Sequence, residues 1–310
     1  MFHVGRFDPA DLREPDVHGT LSEGYRRAPH INRGVGSVHT DLGTCELAPG
    51  GSLELHVHSY EESVFVLEGA VVVTTDGTSR VLGAGECAFF GVGSTHGLAN
   101  AGDVPARWID LVTPQARGAA GPPDTWWTGR PAPAEAAPLD VRDPRVRTEA
   151  RWLPEQMDLD LVRRRSEVDA PTVSASMTSA LLAYSGIAVK MLIDERHGAA
   201  LGNVFMVDYR DDTLLHLHDH PIEEAFYMLE GEVTFLVEGE EHVLGPGGVA
   251  YAGVGSIHGF ENRSGRPCRW LETRAPMPPL RHAYRYERDW SGLPDLLAAE
   301  RAATTPADPA

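Results

Sequence analysis

Two histidines one residue apart, His56 and His58, are followed four residues later by Glu62, and a third, His96, arrives after the Gly-rich stretch Gly91-Val92-Gly93-Ser94. On a strand, positions i and i+2 share a face, so both imidazoles of the pair point the same way. Three imidazoles and one carboxylate converging inside a barrel form a site for a divalent transition ion. The donors suit Fe, Mn, Ni, Co, Cu or Zn; Fe(II) is favoured, with Mn(II), Ni(II) and Zn(II) as alternatives. An isolated pair of this kind is more often a satisfied surface or core pair than a ligand pair. This one recurs, as His218, His220, Glu224 and His258 repeat it at identical spacing. Metal is therefore expected in both sets, one ion in each.

The elements that must position these donors repeat as well. At the same offset, Leu67-Glu68-Gly69 falls on Leu229-Glu230-Gly231, Gly91-Val92-Gly93-Ser94 on Gly253-Val254-Gly255-Ser256, and Arg107-Trp108 on Arg269-Trp270, without a gap. Such self-similarity means two copies of one domain, each expected to have its own core. Within a copy the pattern is β: alternation through Ser52–His58, β-branched and aromatic runs from Ser63 and Ala225, and turns containing Gly. The fold class read from this is all-β, two small sandwich or barrel domains in one chain. The expected boundaries are 1–115 for the first domain, 116–170 for a linker, 171–292 for the second domain and 293–310 for a tail. The linker is rich in Pro, Gly and Ala, with a short helix expected at Pro154 to Arg165.

These residues resemble the two motifs of the cupin superfamily, present twice, as in a bicupin. The first motif reads Gly50, His56, His58, Glu62, Gly69; the second reads Gly85, Gly91-Val92-Gly93, His96, Asn100. The second copy gives His218, His220, Glu224, Gly231, then Gly247, Gly253-Val254-Gly255, His258, Asn262. Two departures stand out: the motif proline is glycine in both copies (Gly91, Gly253), and the opening glycine of the second copy is Asp212. The resemblance implies a double-stranded β-helix in each domain. Retention of the glutamate resembles the quercetinase, acireductone dioxygenase and oxalate decarboxylase branches, and in quercetinase-like enzymes that glutamate also serves as base. Carried over, the catalytic role falls to Glu62 or Glu224. The expected activity is an O₂-dependent dioxygenase acting on a small enolisable or phenolic metabolite. The alternatives are a non-redox Mn or Zn enzyme (hydrolase, decarboxylase or isomerase) and a metal-dependent small-molecule binding protein.

Four further residues are candidate substrate contacts. His216 falls on Glu54, one step outward from the ligand pair, and is either a contact or a satisfied polar residue at the barrel rim. Phe226 and Tyr227 follow Glu224 on a strand, so one of them must face inward. Trp270, like Trp108, is read as core packing or as a contact. With His216 and this aromatic pair, the second copy is the expected catalytic one.

Composition bounds the partners. With 45 acidic against 27 basic residues the net charge is −18, a field that disfavours nucleic acid and anionic membranes. Cys45, Cys87 and Cys268 form no CxxC pair, so neither a disulfide scaffold nor a zinc ribbon is supported. No secretory signal or spanning segment is read, and a cytoplasmic protein is expected. Exposed sheet edges make a homodimer the expected assembly.

Overall fold

The computed structural model describes residues 1–15, 21–117, 123–130, 135–158, 186–277, the backbone of 285–286, and 298. The described chain is almost entirely strand, in two barrels of the kind the motifs imply. In the first copy one long strand, Asp41–His58, passes through both faces of the barrel and carries the histidine pair at its end. In the second copy the same path is split into Asn203–Tyr209 and Leu214–Asp219. The corner in between needs a left-handed residue in both copies. Gly50 supplies it at φ 73°, and Asp212, one of the residue types that tolerates this region, supplies it at φ 55°. The missing motif glycine therefore leaves the corner intact.

Each copy has a buried aromatic core, one around Phe90 and Trp108, the other around Phe226, Phe235, Phe260 and Trp270. A third core lies between the copies and draws on both, with Leu42, Phe65 and Ile109 packed on the same cluster as Met206, Tyr227 and Leu271. Strands facing this seam are buried on both sides and so read as continuous apolar runs.

Backbone exchange and two carboxylates reinforce the seam. The first strand of the chain, Phe2–Arg6, pairs with Gly248–Ala252 of the second copy. Glu149–Arg151, within the segment read as linker, pairs with the equivalent Glu86–Phe90 of the first. Both edges are thus covered from within the chain. Glu223 accepts hydrogen bonds from the backbone N–H groups of Val38 (2.7 Å), His39 (3.0 Å) and Thr40 (3.0 Å). Its counterpart Glu61 accepts from those of Ala200 (2.8 Å) and Leu201 (2.9 Å). In each copy the residue before the candidate metal-binding glutamate therefore grips a loop of the other copy. Burial by itself would raise the Glu223 carboxyl, but these donors hold it below the usual carboxylate range.

A second stretch of the expected linker, Thr125–Gly129, is also a strand and lies on Leu55–His58. Of the helix expected at Pro154 to Arg165, the described residues contain a 3-10 turn, Pro154–Met157. The rest of that helix, and almost all of the expected tail, lie outside the described residues. Among the described residues no helix is long and apolar enough to cross a membrane.

Candidate metal centres

In the first copy His56 lies directly across from His96 on the neighbouring strand, and in the second His218 lies across from His258. A bulge just before the first histidine of each pair, between Leu53 and His56 and between Leu215 and His218, sets the direction of that side chain. The glutamate arrives from the strand that follows the histidine pair in sequence, Glu61–Glu68 in the first copy and Glu223–Glu230 in the second. One donor atom from each of His56, His58, Glu62 and His96, and from each of His218, His220, Glu224 and His258, lies within 4.8 Å of the others in its set.

All six imidazoles are oriented by the same device. Each Nδ1 bonds a backbone carbonyl: His56 to Glu54 (2.8 Å), His58 to Tyr60 (2.6 Å), His96 to Ser94 (3.0 Å), His218 to His216 (2.8 Å), His220 to Ile222 (2.9 Å) and His258 to Ser256 (2.9 Å). A carbonyl only accepts, so Nδ1 carries the proton and Nε2 presents its lone pair to the centre. In the first copy, Nε2 of His58 lies 3.2 Å and that of His96 3.4 Å from the Glu62 carboxylate. In the second, Nε2 of His220 and of His258 each lie 3.1 Å from Glu224. Six basic nitrogens turned toward two buried carboxylates suit a cation, and the residues present fit a divalent transition ion. Burial alone would raise both carboxyls. The imidazoles of His58 and His96 beside it hold Glu62 well below the usual range, and Arg274 with His220 does the same for Glu224. His218, desolvated and close to His258, is pushed down to about 3 and stays neutral.

The two centres share ligands but differ in their surroundings. In the first, every imidazole lies against an aromatic ring: Tyr60 stacks on His58 at 3.9 Å, Phe90 on His96 at 4.0 Å, and Trp127 leans on His56 at 5.1 Å. In the second, Ile222 and Ala252 stand at the positions of Tyr60 and Phe90. The strand partner of Glu62 is Val112, and that of Glu224 is Arg274. Arg274 Nε donates to Glu224 Oε1 at 2.6 Å, and its Nη2 donates to Glu272 at 3.1 Å. Both oxygens of Glu224 are engaged, whereas Glu62 Oε1 accepts no hydrogen bond among the described residues. Glu62 is also more open, at 12% side-chain exposure against 3% for Glu224. A cavity of about 370 Å³ is lined by Ser22, Glu54, Arg130 and, among others, the Trp127 that leans on His56. Glu54 Oε1 lies 3.4 Å from Arg130 Nε, and its Oε2 is buried without a hydrogen-bond partner.

The expected substrate contacts divide. Phe226 faces its own barrel, with its ring 6.2 Å from that of His258. Tyr227 points the other way, into the core between the copies near His30. Trp270 is packed in the barrel on Phe260 and Tyr209, its Nε1 donating to Glu272. His216 serves the centre through its backbone carbonyl, which accepts from His218 Nδ1, on the strand that carries the bulge. Sequence reasoning missed Trp127, which lies across from His56 on a strand taken for linker. The signal was the short β-forming run Thr125-Trp126-Trp127-Thr128. Tyr286 holds the corresponding register position, across from His218. Arg274 was also missed, though comparison of the copies places it against Val112.

A model of the cupin domain matches residues 43–112 and 205–274. The tetracenomycin polyketide synthase protein TcmJ of Streptomyces glaucescens is 36% identical over 113 residues, covering 36% of this chain and 76% of that protein. Polyketide synthase CurC of Streptomyces cyaneus is 32% identical over 83 residues, 26% of this chain; the match spans 54% of CurC's length. Among solved structures, salicylate 1,2-dioxygenase from Pseudoaminobacter salicylatoxidans, as a gentisate adduct, superposes with a TM-score of 0.65 at 16% identity, covering 89% of this chain and 81% of that one. A putative glyoxylate-induced protein from Pseudomonas aeruginosa gives 0.60 at 14% identity, covering 91% of both. These last two likenesses are likenesses of fold.

Proposed function

The chain belongs to the cupin family with two complete donor sets, and from this we propose that it is a metal-dependent dioxygenase of a small enolisable or phenolic metabolite, working at the first centre. The observation that carries the proposal is the orientation of all six Nε2 atoms toward buried carboxylates by carbonyl-bound Nδ1 atoms. A divalent ion held by His56, His58, Glu62 and His96 would supply Lewis acidity toward an enol or phenol oxygen and, as iron or manganese, electron transfer to O₂.

The chain's own groups divide the remaining work. Glu62 is ionised and has one unengaged oxygen, so it takes the proton from the substrate hydroxyl. Glu54 Oε2, buried and unpartnered, accepts a hydrogen bond from a second hydroxyl. Trp127, which lines the cavity, forms a flat wall for a planar ring, while Phe90 backs the His96 imidazole from the core. Glu224 is tied by Arg274 and is not free to act as base, so the second centre positions an ion without turning over substrate. This reverses the sequence-based preference for the second copy. Relatives named for polyketide synthesis, and fold neighbours solved with gentisate, agree with a hydroxylated aromatic substrate.

A second, non-redox reading has one specific support: the relatives matched by sequence are named as polyketide synthase proteins and not as oxygenases. The test is elemental analysis of protein purified without added metal, followed by O₂ uptake with a panel of polyhydroxylated aromatics that includes gentisate. Uptake that is stoichiometric with product and abolished by Glu62→Gln supports the oxygenase. Product formed equally well without O₂ would overturn it in favour of Lewis-acid chemistry.

A further inference from the structure

The chain contains a single lysine, Lys190. It lies on Ile187–Ile193 of the second copy and lines a cleft of about 420 Å³ together with Arg147, Arg151, Arg196 and His197. Five basic side chains around one cleft stand out in a chain of net charge −18. The carboxylates nearby are already committed. Arg151 is bound to Glu86 (2.6 Å), Arg196 to Asp194 (2.8 Å), and the cleft's own Glu149 through Oε1 to Arg80 (2.7 Å), its Oε2 being buried without a hydrogen-bond partner. Among the described residues, Lys190 and Arg147 form no side-chain hydrogen bond or ion pair. Among the described residues two positive charges are thus left unmatched. One of them is half-buried, and its ammonium is pushed down by burial and then by Arg196.

An unmatched buried cation is costly, and an anion delivered from solution relieves that cost. The walls come from both halves of the molecule. Arg147 and Arg151 belong to the segment whose strand Glu149–Arg151 is fastened to the first copy, and Lys190 belongs to the second. We propose that this cleft binds a small oxyanion of charge −2, a phosphate or a dicarboxylate, which bridges the two copies. Arginine forks suit either group bidentately, and the lysine supplies a point charge. The apolar side chains of Val141 and Val146 beside them leave room for a short carbon skeleton.

The single lysine makes the test direct. Reductive ¹³C-methylation of the full chain labels only Lys190 and the N-terminal amine and keeps the positive charge. Phosphate, succinate and chloride are then titrated at matched ionic strength. The expected result is a saturable shift of the Lys190 resonance with phosphate or succinate, the tighter of the two identifying the ligand class, while the N-terminal resonance stays fixed. Arg147→Gln, at an exposed position that folding does not need, should weaken binding about tenfold or more; Arg145→Gln, outside the cleft, should leave it unchanged. A shift that follows ionic strength equally in chloride overturns the proposal, and so does unchanged affinity in Arg147→Gln.

Discussion

Replacing Arg274 by valine gives the second centre the residue that the first has at Val112. In the metal-free protein the Glu224 carboxylate then loses the guanidinium 2.6 Å away and keeps only the imidazoles. Removing one partner of a buried ion pair costs about 3–5 kcal/mol. Arg274 is 24% exposed, so the lower end, about 3 kcal/mol, applies. A divalent ion touching Glu224 replaces the lost charge, and in the loaded protein the cost shrinks to about 1 kcal/mol. The difference of about 2 kcal/mol corresponds to ~30-fold tighter ion binding at the second centre. The assay is competition with a chelator for Mn(II) or Zn(II), in a background where His56→Ala silences the first centre, paired with urea unfolding with and without metal. If Arg274 instead preorganises Glu224 as a ligand, the variant binds metal more weakly than the parent. That result, or unchanged affinity, would refute the view that the arginine competes with the ion.

Glu62→Gln should lower turnover by about 10²–10⁴ through loss of the base, whereas Glu224→Gln should alter metal content at the second centre and leave the rate at the first within a few-fold; steady-state kinetics with metal analysis checks both. Glu223→Ala strands several backbone donors and should destabilise the fold by about 3–5 kcal/mol, against about 2 kcal/mol for Glu61→Ala, as read from urea unfolding. His30, desolvated between the copies and close to Arg27, is lowered from 6.5 to about 4. The unfolded chain therefore takes up its proton first as pH falls. The contribution of His30 is complete above about pH 6.5 and is lost toward pH 4, a span worth at most ~3 kcal/mol. His30→Gln should flatten that limb of the stability profile measured by thermal unfolding.

The ligands were legible because their signal is local and doubled. A histidine pair at i and i+2, a glutamate four residues on and a later histidine need only a strand to share a face, and the second copy removes chance as an explanation. The repeat also carried the fold, since a strand pattern found twice at one offset leaves few architectures. Direction along a doubly buried strand was not legible. Phe226 and Tyr227 alternate, but one side of that strand meets its own barrel and the other meets the first copy, and both are apolar. What His216 does was not legible for a different reason: a bulge adds a residue to its strand, and the atom that reaches a ligand is its backbone carbonyl.

What the repeat concealed is the division between the copies. Identical ligands suggest identical centres, yet the environment is set by residues in which the copies differ, and those lie outside the motif. Val112 and Arg274 occupy one register position, opposite Glu62 and Glu224, and only the arginine reaches the carboxylate. Asp110 and Glu272 diverge in the same layer: Arg27 takes Asp110 at 2.7 Å, whereas Glu272, desolvated and next to Glu224, is pushed up and accepts from Arg274 and Trp270. The second centre is thus held in a closed polar network, while the first is walled by rings and left with a carboxylate oxygen to spare. Two copies clamped reciprocally through Glu61 and Glu223 can differ in this way at little cost to the fold, because the clamps sit one residue before each ligand and do not depend on what lies across from it. An ion in either centre fixes the strand that carries the adjacent clamp. Loading one site should therefore slow hydrogen exchange at the loop the clamp grips, 200–201 for the first centre and 38–40 for the second. Protection confined to the loaded copy would show that the seam does not transmit it.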